Sequence, residues 1–234
     1  MPKIKISGVI IPNDYQELYD WLEIEGTSPR KVAEALESNA NEDVDVEINS
    51  PGGDVWSGSA IYTMLKQHEK TVTVSIVGLA ASAASVIAMA GDVVKMSPTA
   101  QFMCHNASGT LSGDKNDIES GLQKLKSADT AIKNAYIIKT GLSDVEVHEM
   151  MNKTTWLSAN EAKEKGFVDQ VMFEEKQDYA FTANYGNLPF SADKITELKS
   201  LMDKEKGAIA NGGDASFLVA QSRLNLLKIR KEEK

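Results

Sequence analysis

The chain has 234 residues, 42% of them hydrophobic and 25% charged, enough to build a buried core and too apolar for wholesale disorder. Twenty-five basic residues against thirty-four acidic ones give a net charge of -9, which argues against nucleic acid or an anionic membrane surface as the main partner. A single cysteine, Cys104, excludes an intrachain disulfide and a Cys-rich zinc site. With no signal-peptide pattern at the start, the expected compartment is a reducing cytoplasm. The longest apolar stretch, residues 76–90, is broken by Ser82 and Ser85 and is too short to span a bilayer.

In chain order, residues 3–11 alternate apolar and polar before turning apolar and predict an opening strand. An acidic, aromatic insert follows over residues 13–25. Thr27-Ser28-Pro29 pairs a hydroxyl cap with a proline in the first turn, a helix start, and Val32, Ala35 and Leu36 supply its apolar stripe. Val44–Ile48 is a strand running into Asn49-Ser50-Pro51-Gly52-Gly53. A helix over 57–67 and a β-branched strand over 71–77 come next. Small residues 78–85 then open a buried helix ending at Gly91, and 93–96 and 101–105 read as two short strands. This alternation predicts crossover α/β units around a mostly parallel sheet.

From Asn116 the period turns helical, with Ile118, Leu122, Leu125 and Ile132 on one face of a long helix stopping near Gly141. Ser143 with Glu146, and Ser158 with Glu161, have capping-box spacing and predict two shorter helices. Gly166 ends the second, and residues 167–173 return as a strand. Further on, the sequence predicts a helix over 192–206, a linker at Asn211-Gly212-Gly213, and a basic amphipathic end. The final twenty residues carry five basic and two acidic side chains, with Phe217, Leu224 and Leu227 at helical spacing. That segment is expected to act as an interaction arm.

Three elements carry possible chemistry. Gly52-Gly53 after a strand lets the backbone approach a ligand and present free N–H groups, although Pro-Gly-Gly is by itself most often only a turn. Ser82 stands at a strand-to-helix junction among alanines, where a helix N-terminus faces any developing negative charge. A buried hydroxyl N-cap is the plainer alternative. His105 closes a short strand whose alternation puts Cys104 on the opposite face, so the thiol reads as packing.

Taken together, Ile48–Gly58 (INSPGGDVWSG), Gly78–Ser82 (GLAAS), Phe102–Asn106 (FMCHN) and Trp156–Asp169 (WLSANEAKEKGFVD) closely resemble the Clp protease proteolytic subunit family. The resemblance covers residues 3–173. It implies a crotonase-like α/β fold of repeated β-β-α units with a protruding helical handle over about 111–155, in a catalytic domain of residues 1–175 followed by a helical extension, 176–234. It implies serine endopeptidase chemistry on a polypeptide substrate without metal or cofactor. Ser82 is then the nucleophile and His105 the base, with the backbone N–H groups of Gly53 and Ala83 as the oxyanion hole. Ser85 is an alternative nucleophile on the same helix. The subunit is expected to form a ring homo-oligomer, with stacking of two rings through the handle as the extended form of that expectation.

Two departures stand out. The family's acidic third member is replaced by Thr154, which carries no charge for an imidazolium; Asp169, Asp114 and Asp117 are substitutes with no basis for choice, and Lys133 is a conceivable dyad partner. Ile4 already lies in the first strand, so docking of an AAA+ unfoldase is doubtful. The insert and the extra residues after Glu174 look more like Clp-like proteases encoded beside phage capsid genes, which process scaffold and capsid proteins in head maturation. A catalytically impaired assembly protein of the same fold and a crotonase-type acyl-CoA enzyme are the competing readings.

Overall fold

A computed structural model describes residues 1–174 together with Thr196, Lys199 and Ser200. The chain divides into two units, Met1–Glu175 and Lys176–Lys234. Of the helix expected over 192–206, the three described residues are helical. The rest of it, the 211–213 linker and the basic end lie outside the described residues.

The first unit is built on one sheet. Strands β1 (Lys3–Ile10), β3 (Val44–Gly53), β4 (Val72–Ala81) and β5 (Val93–Met96) lie side by side and parallel. The two-residue strands β2 (Gly26–Thr27) and β8 (Gln170–Val171) complete the order β2-β1-β3-β4-β5-β8. Strand β3 shows why the sequence folds this way. Val44, Val46, Ile48, Ser50 and Gly52 are buried in strict alternation, and the residues between them are not. Burying a valine or isoleucine side chain stabilises the fold by about 1.5–3 kcal/mol relative to leaving it exposed.

Helices α2 (Pro29–Glu37), α3 (Val55–Gln67) and α4 (Ala83–Ala88) cross between the strands. Ser28 caps α2 by accepting from the Lys31 N–H, with Pro29 in the first turn. The acidic insert forms a short turn of helix and α1 (Gln16–Trp21). Helix α3 begins two residues earlier than its apolar pattern suggests, because Asp54 caps it at 2.7 Å from the Ser57 N–H. Helix α4 stops at Ala88, ahead of Gly91.

Strand β4 is longer than its apolar run and changes partner along its length. Thr73–Ile76 pair with β5, whereas Leu79–Ala81 pair with β6 (Gln101–Cys104), also in parallel. Strand β6 then pairs antiparallel with β7 (Thr155–Leu157), which the sequence pattern does not announce. Instead of a strand over 167–173 only Gln170–Val171 pair. Helix α5 (Lys115–Thr140) opens with a capping box between Asp114 and Asp117 and closes on Gly141 at φ 72°. Its buried residues are Ile132, Ala135 and Tyr136, all in the C-terminal half, while Ile118 and Leu122 are exposed at 40% and 46%. Helices α6 (Asp144–Asn152) and α7 (Ala159–Glu164) start at the Ser143/Glu146 and Ser158/Glu161 capping boxes.

Candidate active site

Strands β4 and β6 are parallel neighbours with Ala81 opposite Met103, so the residues just past both C-terminal ends emerge together. Those residues include Ser82 and His105. The Ser82 N–H donates to the Met103 carbonyl at 3.0 Å, and Ser82 Oγ lies 2.7 Å from His105 Nε2. The pair forms part of the wall of a cavity of about 310 Å³, lined also by Gly53, Ala83, Tyr62 and Ile132.

Ser82 stands at the N-cap position of α4, its side chain making no capping bond, with φ 55° and ψ -126°, a backbone conformation that a residue with a Cβ adopts only when its surroundings impose it. The glycine turn is one of those surroundings. A Cβ on Gly52, whose φ is +90°, would sit 2.6 Å from the Ala81 carbonyl oxygen, 2.7 Å from Ser82 Cβ and 2.9 Å from the Ala83 nitrogen. A Cβ on Gly53 would lie 2.2 Å from the Ile10 oxygen. Ser50 braces the turn, its Oγ donating to the Gly8 carbonyl and accepting from the Gly52 N–H. Glycine is therefore required twice, and the turn packs directly against the serine junction. Ala83 is the first residue of α4, where backbone N–H groups have no partner within the helix.

Ser85 is fully buried, with its hydroxyl on the Ser82 carbonyl and the Tyr136 hydroxyl, so the histidine's serine partner is Ser82. Cys104 is fully buried, and burial pushes its thiol pKa up to about 11; it packs away from the cavity.

Among the described residues His105 makes one hydrogen bond, to Ser82, and no carboxylate accepts from its other ring nitrogen. Thr154 is exposed at φ 50°, one step past the Cys104–Thr155 pairing that ends the β6–β7 ladder. Continuing that register places it level with His105, with no bond between them. The alternative partners are engaged elsewhere. Asp169 accepts from the Val94 N–H and from Lys139, and Asp114 and Asp117 cap α5. Lys133 pairs with Asp144.

Sequence reasoning missed the residues that pin the chain after His105. Asn106 Nδ2 donates to Asn152 Oδ1 at 2.7 Å, and Asp129 on α5 accepts from the Ala107 N–H at 2.7 Å. Asn106 Oδ1 is buried with no donor among the described residues. Their sequence signal is too slight to find, since each is a lone polar residue and its partner is set by tertiary packing.

Comparison with known proteins adds the following. Residues 30–175 match the Clp protease family. The chain is similar to the ATP-dependent Clp protease proteolytic subunit 1 of Salinibacter ruber, 33% identical over 146 residues, which are 61% of this chain and 63% of that protein. It is similar to the protein of the same name from Chlamydia muridarum, 33% identical over 130 residues, 54% of this chain and 68% of that one. The Chlamydia trachomatis protein is 31% identical over 140 residues, 58% and 73% of the two chains. The matched region thus spans just under two thirds of the Salinibacter protein and somewhat more of the chlamydial ones.

Proposed function

The chain belongs to the Clp protease family, and from that footing we propose that it is a serine-type endopeptidase with Ser82 as nucleophile and His105 as general base. The observation that carries the reading is the 2.7 Å contact between Ser82 Oγ and His105 Nε2 in the wall of the cavity.

The geometry supports the following steps. With the ring proton on Nδ1, Nε2 accepts the Ser82 proton as Oγ bonds to the peptide carbonyl carbon. The carbonyl π electrons move onto oxygen, toward the Gly53 and Ala83 N–H groups. When the tetrahedral species collapses, the C–N bond breaks and the imidazolium returns its proton to the leaving amine. The acyl-enzyme is resolved by water, which His105 deprotonates in turn; the ester C–O bond breaks and Ser82 regains its proton. Gly52 and Gly53 serve this chemistry by letting the turn approach the serine without a side chain in between.

The finer reading is a ring-forming homo-oligomer that processes scaffold and capsid proteins during phage head maturation. It is supported by the insert before Gly26, where Tyr15, Leu18 and Trp21 are exposed, and by the chain beyond Glu174. The exposed apolar side chains of Ile118 and Leu122 on α5 support contact between subunits. Among the described residues no helix is long and apolar enough to cross a membrane, and no cluster of metal-ligating side chains is present.

A second reading, an assembly protein with impaired catalysis, is favoured by one observation: among the described residues no carboxylate bonds His105. A fluorophosphonate probe separates the two. The peptidase reading expects labelling of Ser82, none in Ser82→Ala, and casein hydrolysis reduced by about 10³-fold or more in His105→Ala. An intact assembly that takes no label overturns it in favour of the second.

A further inference from the structure

Beneath Ser82 runs a buried line of hydroxyls that the reaction steps above do not use. Ser85 Oγ donates to the Ser82 carbonyl oxygen at 2.6 Å and lies 2.8 Å from the Tyr136 hydroxyl. A serine hydroxyl has one proton. Since that proton is engaged by the Ser82 carbonyl, Tyr136 is the donor in the second bond. Both residues are completely buried. Phe102 and Phe167 meet the tyrosine ring edge-on, with centroids at 6.4 Å and 5.6 Å. Burial holds the phenol far above its ordinary pKa, so it stays a neutral donor.

The Ser82 carbonyl oxygen also accepts from the Ser85 N–H at 3.0 Å and the Val86 N–H at 3.3 Å. The same peptide unit ends in the Ala83 N–H. Because that unit is planar, fixing its oxygen fixes the direction of its N–H. Donors on the oxygen also polarise the N–H at the far end, as in any hydrogen-bonded chain. The backbone at Ser82 is in a sparsely populated region and needs outside restraint to stay there.

We propose that Ser85 and Tyr136 are positioning residues: their hydroxyl relay, reaching in from α5, locks the Ser82–Ala83 peptide plane so that the Ala83 N–H is aimed at the developing oxyanion. This rests on the serine-peptidase reading and deepens it. It also gives an exact duty to a tyrosine that would otherwise be one more apolar contact of a helix.

The test uses the full chain with Ser85→Ala, Tyr136→Phe and the double variant. Ser85→Ala leaves a buried phenol without an acceptor and is expected to lose both Tm and activity. The double variant removes both hydroxyls and should recover most of the Tm, because neither partner is left stranded. Positioning requires that its kcat and its fluorophosphonate labelling rate nevertheless stay about 10–100-fold below wild type, with KM for a fluorogenic peptide within about twofold. The Ala83 amide resonance, read in protein carrying isotope-labelled alanine, should move. A purely structural role predicts instead that kcat returns together with Tm. Wild-type kcat in the double variant, or an Ala83 resonance that does not move, overturns the proposal. A wild-type protein that neither hydrolyses peptides nor takes the probe overturns the peptidase reading, and the Ala83 resonance then still decides whether the relay holds the peptide plane.

Discussion

Replacing Gly52 by alanine tests whether the glycine turn exists to serve the serine junction. At φ +90° an alanine pays the left-handed penalty of about 1–2 kcal/mol. Its methyl carbon also meets three atoms inside 3.0 Å, the Ala81 oxygen, Ser82 Cβ and the Ala83 nitrogen. Two of these are backbone atoms that cannot rotate aside, so the turn and the junction must separate, at an overpacking cost of about 1–3 kcal/mol. The total, roughly 2–5 kcal/mol, lowers Tm by about 5–15 °C in a unit of this size. Separation also displaces the Ala83 N–H, and losing one oxyanion donor lowers kcat by about 10²–10³-fold.

The control is Gly141→Ala. Gly141 has φ +72° but nothing within 4 Å of an added Cβ. It carries the backbone penalty alone, at the end of α5, and should lower Tm by a few degrees with kcat unchanged. Peptide hydrolysis and thermal melting of both variants decide the matter. A Gly52→Ala protein with wild-type kcat refutes the reasoning, as does a Gly141→Ala protein that loses as much activity.

Thr154→Asp should raise kcat about tenfold by placing a carboxylate level with His105, in a φ 50° position that aspartate tolerates better than threonine; an unchanged or lower kcat in a folded variant counts against it. Leu122→Glu, on the exposed stretch of α5, should shift the particle to a smaller sedimenting species while Tm changes little, and an unchanged profile would mean that this face makes no contact between subunits. The Ser143 and Ser158 hydroxyls, followed by their backbone N–H groups, hold the Glu146 and Glu161 carboxyls below the ordinary 4.5. A depressed folded value means stability that is present above 4.5 and lost as pH falls through the folded value. The Tm deficit of a Glu146→Gln/Glu161→Gln variant should therefore shrink on acidification, and a deficit independent of pH would show that the caps act without charge.

What could be read from the sequence was local. Ser28 before Pro29, and the two serine–glutamate capping boxes, name helix starts because the capping atoms are within a few residues of the N–H groups they satisfy. The alternation in β3 names a strand because its period is a property of the backbone. Strands β2 and β7 escaped because two or three residues carry no period, and only a partner from elsewhere in the chain makes them strands; β8 pairs over just two of the seven residues expected, for the same reason. Asp54 escaped for another reason: directly after a glycine pair it reads equally as part of the turn, although Asp54 and Ser57 have N-cap spacing.

The site divides along the same line. Ser82 and His105 could be singled out one by one, but their meeting depends on β4 exchanging β5 for β6 as its neighbour, a tertiary event. The partner that orients His105 is the part the sequence left open, and the structure gives a physical reason. On the C-terminal side of His105 the backbone is pinned twice, through Asn106 to Asn152 on α6 and through the Ala107 N–H to Asp129 on α5. On its N-terminal side the strand is pinned by β4 and β7. The position of the His105 backbone is thus set by four neighbours at once, and its ring is held by the Ser82 contact. Compensation of an imidazolium charge is a separate matter: among the described residues no carboxylate bonds the ring, and the Asp129 carboxylate bonds the Ala107 N–H instead. Holding the ring and compensating its charge are joined in one carboxylate where a serine–histidine pair has its acid. The Thr154→Asp variant therefore tests what a carboxylate adds to a histidine whose backbone is already held: a gain in kcat would measure charge compensation together with the added hold on the ring.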